Sequence, residues 1–152
     1  MRRILAVVTL TITLAGCTDT VPMGTLQSDQ TAKTFPVPPP GKAGLYVYRS
    51  QEHGAALDVT ANQRMLGHVA GATYLRIDVA PGVWDIRCKS GLALDFPDSH
   101  PIALAAGSII YVDIRVTASA RGLCALRQVE PVVAMQAIAK LKRIQEVGGA
   151  SD

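Results

Sequence analysis

Between Tyr74 and Val79 the chain alternates strictly: Leu75, Ile77 and Val79 are apolar, while Arg76 and Asp78 are charged. A period of two is that of a strand with one dry face. The pattern resumes beyond Pro81-Gly82, with Trp84, Ile86 and Cys88 on one side and Asp85, Arg87 and Lys89 on the other. Two such runs around a turn pair predict a hairpin. Pairing Val79 with Trp84 would set Asp78 opposite Asp85 and Arg76 opposite Arg87. Like charges directly opposite are unfavourable, so diagonal pairs or a bulge near Pro81 would have to offset them.

The clearest strand runs from Ser108 to Thr117, where Ile110, Val112, Ile114 and Val116 alternate with Tyr111, Asp113 and Arg115. Shorter strands are predicted at 45–49, 57–60, 65–69, 102–105 and 123–128. Turn residues separate them: Asn62-Gln63, Gly71, Asp98-Ser99 and Gly107. Seven or eight short strands at this spacing predict a mainly β fold, an antiparallel β-sandwich or barrel. The period changes after Glu130-Pro131, a favourable helix opening, because Ala134, Ile138, Leu141 and Ile144 fall on one helical stripe. A C-terminal α-helix is predicted over 131–147, packed on the sandwich or over an edge strand. Gly148-Gly149 would stop it and leave 148–152 as a tail.

Upstream of Ala43 the pattern fades. Residues 17–42 are polar and carry Pro22, Pro36, Pro38, Pro39 and Pro40, a composition that predicts an extended tether. As a flexible coil it would span on the order of 30 Å. One domain, 43–147, follows it.

The start of the chain has another character. Arg2 and Arg3 precede an apolar run that ends in Leu14-Ala15-Gly16-Cys17, which resembles a bacterial lipoprotein signal. Residues 1–16 would be removed and the Cys17 thiol would carry a diacylglycerol. An uncleaved membrane span is the weaker reading, because the apolar run is about half the roughly twenty residues a span needs. Thr18 after the cysteine, rather than aspartate, implies the outer membrane, with the protein facing the periplasm.

Losing Arg2 and Arg3 changes the charge argument, since 15 basic residues against 12 acidic become 13 against 12. Such a balance, without a basic cluster, argues against a nucleic-acid partner. Lipid on Cys17 also leaves an even pair of cysteines, Cys88 and Cys124. The envelope permits disulfides, so a bridge is favoured over two separate buried thiols.

Candidate chemistry is sparse. Asp95, Asp98 and His100 form the one compact set of metal ligands, in a stretch that reads as a solvent-facing turn. His53 and His68 match no zinc spacing. There is no Gly-x-Ser-x-Gly and no phosphate loop, and the serines lack a nearby base in sequence. No cofactor is expected. Tyr74 and Tyr111 share the charged face of their strands, and with Arg76 and Arg115 they form the candidate contact patch.

Gly44-Leu45-Tyr46-Val47-Tyr48-Arg49, then Asn62 to Gly67, Gly71-Ala72-Thr73-Tyr74 with Pro81-Gly82, and Ala106-Gly107 before Tyr111 resemble bacterial lipoproteins carrying domain of unknown function 2846. The similarity covers about 42–141. It implies a small sandwich, immunoglobulin-like or transthyretin-like, and no established reaction. This chain departs from the pattern in a short loop after Arg49 and in Cys88 and Cys124.

The expectation is therefore a lipid-anchored, non-enzymatic envelope protein. Its partners would be the membrane, through the anchor, and another envelope component, a protein or the cell wall. The alternatives are a small hydrolase or metal-dependent enzyme, and a carbohydrate- or peptidoglycan-binding module.

Overall fold

The computed structural model describes residues 21–90, 98–116 and 124–148. Their elements in order are α1 (Leu26–Ala32), β1 (Ala43–Arg49), β2 (Leu57–Ala61), β3 (Arg64–Val69), β4 (Thr73–Val79), β5 (Gly82–Ser90), β6 (Asp98–Leu104), β7 (Ile109–Val116), β8 (Cys124–Gln128), α2 (Pro131–Ile138) and β9 (Lys142–Arg143). The fold is a mainly β sandwich with a short C-terminal helix, as the alternation predicts. One sheet has the order β8-β7-β1-β4-β9 and the other β3-β2-β5-β6. Most neighbours are antiparallel, but β1 runs parallel to β7 and β4 parallel to β9.

The predicted hairpin is not formed. β4 pairs with β1 in the five-stranded sheet, while β5 pairs with β2 and β6 in the other. Ala80 and Pro81 therefore carry the chain across the sandwich, and the two dry faces meet as opposing layers instead of lying side by side. The like-charge conflict disappears, because each charge is offset within its own strand. Arg76 pairs with Asp78 at 3.0 Å and Arg87 with Asp85 at 2.7 Å. A hairpin does form between β2 and β3, where Asn62 and Gln63 both take positive φ (48° and 67°). That is the conformation of the two-residue turn matched to strand twist.

The core between the sheets holds Leu45, Val47, Val59, Leu66, Leu75, Ile77, Ile86, Ile102, Val112 and Ile114 among others. Cys88 on β5 and Cys124 on β8 form a disulfide across it, with Cα atoms 6.1 Å apart. The favoured pairing is correct, and the bond joins the two sheets.

All seven residues of β1 are buried, which one dry face cannot explain. Leu45 and Val47 enter the sandwich, whereas Tyr46 and Tyr48 belong to a second cluster with Ala32, Tyr74, Tyr111, Ala134, Ile138 and Leu141. A third layer therefore covers the outside of the five-stranded sheet.

That layer corrects two expectations. Residues 22–42 of the expected tether are folded onto the domain. Thr25 caps α1 through a 3.1 Å bond from the Ser28 amide, Ala32 is buried, and Phe35 packs on Tyr46 and Tyr111 with ring centroids 5.5 and 6.2 Å away. A segment too polar to make its own core is held by a face that supplies one. Helix α2 ends at Ile138 rather than at residue 147, and its stripe divides. Ala134, Ile138 and Leu141 stay in the outer layer, while Ile144 enters the sandwich core. To reach it the chain leaves the helix and pairs as β9 with β4, with the Ile144 amide donating to Tyr74 O at 2.9 Å. Helical spacing alone could not separate these destinations.

Candidate functional site

Register brings the candidate patch together and then hides it. Tyr46 lies between Arg76 on β4 and Tyr111 on β7, and Tyr48 between Tyr74 and Asp113. Yet Tyr74 is 0% exposed and Tyr111 3%. The expectation of an exposed aromatic patch is thus corrected: the rings stack beneath the N-terminal strap, with Tyr46 centred 5.2 Å from Tyr111 and 6.2 Å from Tyr74. Aromatic pairs of this kind add about 0.5–1.5 kcal/mol beyond their burial.

The hydroxyls under the strap are structural donors. Tyr46 Oη donates to Ala32 O at 2.7 Å, and Tyr74 Oη to Asp29 Oδ1 at 2.9 Å. Burial pushes Tyr46 up to about 12 and, with the adjacent Asp29 carboxylate, raises Tyr74 as well. Both therefore keep their protons. Asp29 also accepts from the Arg143 amide at 3.0 Å and pairs with Lys33 at 2.8 Å. Burial would raise its carboxyl, but the bonds from Lys33, Tyr74 and Arg143 together hold it below the usual range. Arg143 adds bonds to Ser28 O and Arg76 O, and the Arg76 guanidinium lies over the Tyr46 ring. Arg115 alone of the four patch residues is exposed. It sits beyond the last paired rung of β1, where Nε donates to Asp113 Oδ2 at 2.8 Å.

Among the described residues, the opposite face is the open one. On the outside of the four-stranded sheet, cross-strand registers align His68, Asp58 and Lys89 in one row, and Thr60, Arg87 and Ser99 in the next. His68 Nδ1 and Asp58 Oδ1 are 2.6 Å apart. The Asp85 carboxylate accepts from the Ser99 hydroxyl and, at 2.7 Å, from Arg87 Nε. These two donors, Ser99 first, hold Asp85 below the usual carboxylate range. Sequence reading missed this face, because Asp58 and His68 become neighbours only through the β2–β3 register. A bulge between Val59 and Thr60 sets that register.

Arg49 was also missed as a special residue. It is fully buried at the end of β1, with Nη1 and Nη2 donating to the carbonyls of Ala55 and His53 and Nε without a partner among the described residues. Burial lowers its guanidinium below the ordinary arginine range. Its fork holds the short loop leading to β2. Gly54, at φ 108°, is required there, since a Cβ would lie 2.6 Å from Arg49 Nη2.

Of the metal candidates, Asp95 lies outside the described residues. Asp98 and His100 belong to β6, opposite Cys88 and Ile86, and not to the expected turn. Among the described residues no three His, Cys, Asp or Glu side chains converge. A cleft of about 250 Å³ lies between Ile109–Tyr111 and Gln128–Pro131. Glu130 supplies the carboxylate on its wall, and the Val129 amide donates to Tyr111 O at 3.0 Å beside it. Among the described residues no helix is long and apolar enough to cross a membrane. Cys17 lies outside them.

No family model matches the chain. It is similar to an uncharacterized protein of Haemophilus influenzae, 30% identical over 87 residues that make up 56% of this chain and 51% of that protein. The chain thus spans about half the length of this curated relative, whose name assigns it no activity.

Proposed function

We propose that this protein is a lipid-anchored, non-enzymatic β-sandwich of the bacterial envelope that binds another envelope component, protein or cell wall, through the open face of its four-stranded sheet. The observation that carries the reading is the asymmetry of the two outer faces. The aromatic face is spent on holding residues 22–42 and α2, whereas Asp58, His68, Asp85, Arg87 and Ser99 stand on a face that no other element among the described residues covers. Arranged charges on an open sheet favour a polar, electrostatically complementary partner.

Attachment rests on the leader and Cys17, and the outer membrane on Thr18. The Cys88–Cys124 bond adds support for a compartment outside the cytoplasm, because disulfides persist where thiols are not kept reduced. The likeness to lipoproteins carrying domain of unknown function 2846 belongs to the same reading.

Two measurements test it. Cys17→Ala should move the protein from the membrane to the soluble envelope fraction, and unchanged fractionation would remove the anchor from the proposal. In-cell crosslinking of the acylated protein should then recover one specific protein or wall fragment, lost on replacing Asp58 and Arg87 by alanine. Recovery of bystanders alone, equal for both chains, would refute the recognition face.

A further inference from the structure

The folded strap brings the membrane close. Four residue steps separate Cys17 from Val21, and Val21 packs on the sandwich core. Even fully extended, four steps reach only about 14 Å, half the stand-off of a free 25-residue coil. An anchor at Cys17 therefore holds one particular side of the domain at the lipid surface.

That side is the β9 edge. Met23 bridges Ile144, Gly24 N donates to Arg143 O at 3.0 Å, and Gln145 N donates to Pro22 O at 2.9 Å. Val147 N then reaches Leu66 O on β3, the edge strand of the second sheet. The elements that meet here leave three apolar side chains in water: Leu26 of α1, the helix that contacts β9, is 74% exposed, Met23 44% and Val147 40%. Lys142 of β9 and Lys140 just before it are exposed, and their charge complements lipid phosphates.

We infer that this edge, through Met23, Leu26 and Val147, docks on the phospholipid surface to which Cys17 is anchored. The inference rests on the anchoring reading above. The two acyl chains of a diacylglycerol at Cys17 hold the protein on the membrane, so the edge contact orients the domain and need not supply the attachment. A surface held within a short leash meets the bilayer at high effective concentration, so a few apolar side chains suffice. With an edge against the lipid, both sheets stand across the membrane plane. The polar face of the four-stranded sheet is then presented sideways, clear of the bilayer.

The test uses the acylated full chain in vesicles of phosphatidylethanolamine and phosphatidylglycerol, with a benzophenone side chain at Leu26 or at Gln128. Gln128 lies on β8, the opposite edge strand, about 19 Å from β9 at normal strand spacing. Photolysis should give a phospholipid adduct from position 26 and none above background from position 128. Met23→Asp with Val147→Asp, which leaves the leash unchanged, should reduce the adduct at 26 to background. If the protein does not float with the vesicles, the anchor reading itself fails and the inference with it. If it floats but position 26 gives no adduct, or an adduct that survives the double substitution, docking is overturned while the anchor stands.

Discussion

Reducing the Cys88–Cys124 bond changes the connectivity of the domain while removing no heavy atom, and so isolates what the cross-link contributes. The cysteines are 36 positions apart in sequence. On the chain-entropy model, closing a loop of that size costs the unfolded chain about 13 cal/mol/K, or about 4 kcal/mol at room temperature. The bond ties β5 of one sheet to β8 of the other, so no hydrogen-bonded ladder between those strands duplicates it. For a domain of this size, with roughly 2.1 cal/mol/K of unfolding entropy per residue, that is a fall in Tm of about 15 °C. The assay is a calorimetric melt with and without a phosphine reductant. Cys17→Ala is the parent chain, so that no third thiol can exchange. Alkylation and mass measurement of the same samples count the thiols. Two free thiols before reduction, or a Tm change under about 3 °C once both are labelled, would refute the reasoning.

The strap supplies the next prediction. Asp29→Ala should cost about 2–3 kcal/mol and raise amide exchange over residues 26–36, because the Tyr74 hydroxyl and the Arg143 amide lose a charged acceptor. Asp29 sits below its ordinary value when folded, so its contribution is fully present above the unfolded carboxyl range near pH 4. It is lost as pH falls through the lower folded value. Near-UV circular dichroism of the stacked tyrosines should follow that acid transition and lose it in Asp29→Asn, whereas an unchanged profile would exclude Asp29 as the fastening. Arg49→Met should leave the sheets folded but speed amide exchange over 50–56, since the carbonyls of His53 and Ala55 lose their donors. Unaltered exchange there would show that the loop holds itself.

What the sequence determined by itself is the strands and their dry sides. Alternation at Leu75-Ile77-Val79, Ile86-Cys88 and Val112-Ile114 is local, and each of these residues does face the core. The Asn62-Gln63 turn was legible for the same reason, because a two-residue hairpin depends on backbone preferences alone. Pairing of Cys88 with Cys124 followed from parity and compartment. The tertiary structure decided the rest. Trp84 and Val79 carry the same pattern whether their strands pair in one sheet or oppose each other in two, and only the whole set of neighbours selects the second. Tyr74, Arg76 and Tyr111 read as an exposed face, since a strand with one covered side and one with two differ only in what arrives from elsewhere. Here it is residues 22–42, too polar for a core of their own, fastened by Asp29 and Arg143 to tyrosines that the same sequence placed far downstream. Local periodicity records which side of a strand is dry, whereas the covering of its other side is a long-range event that the periodicity does not encode.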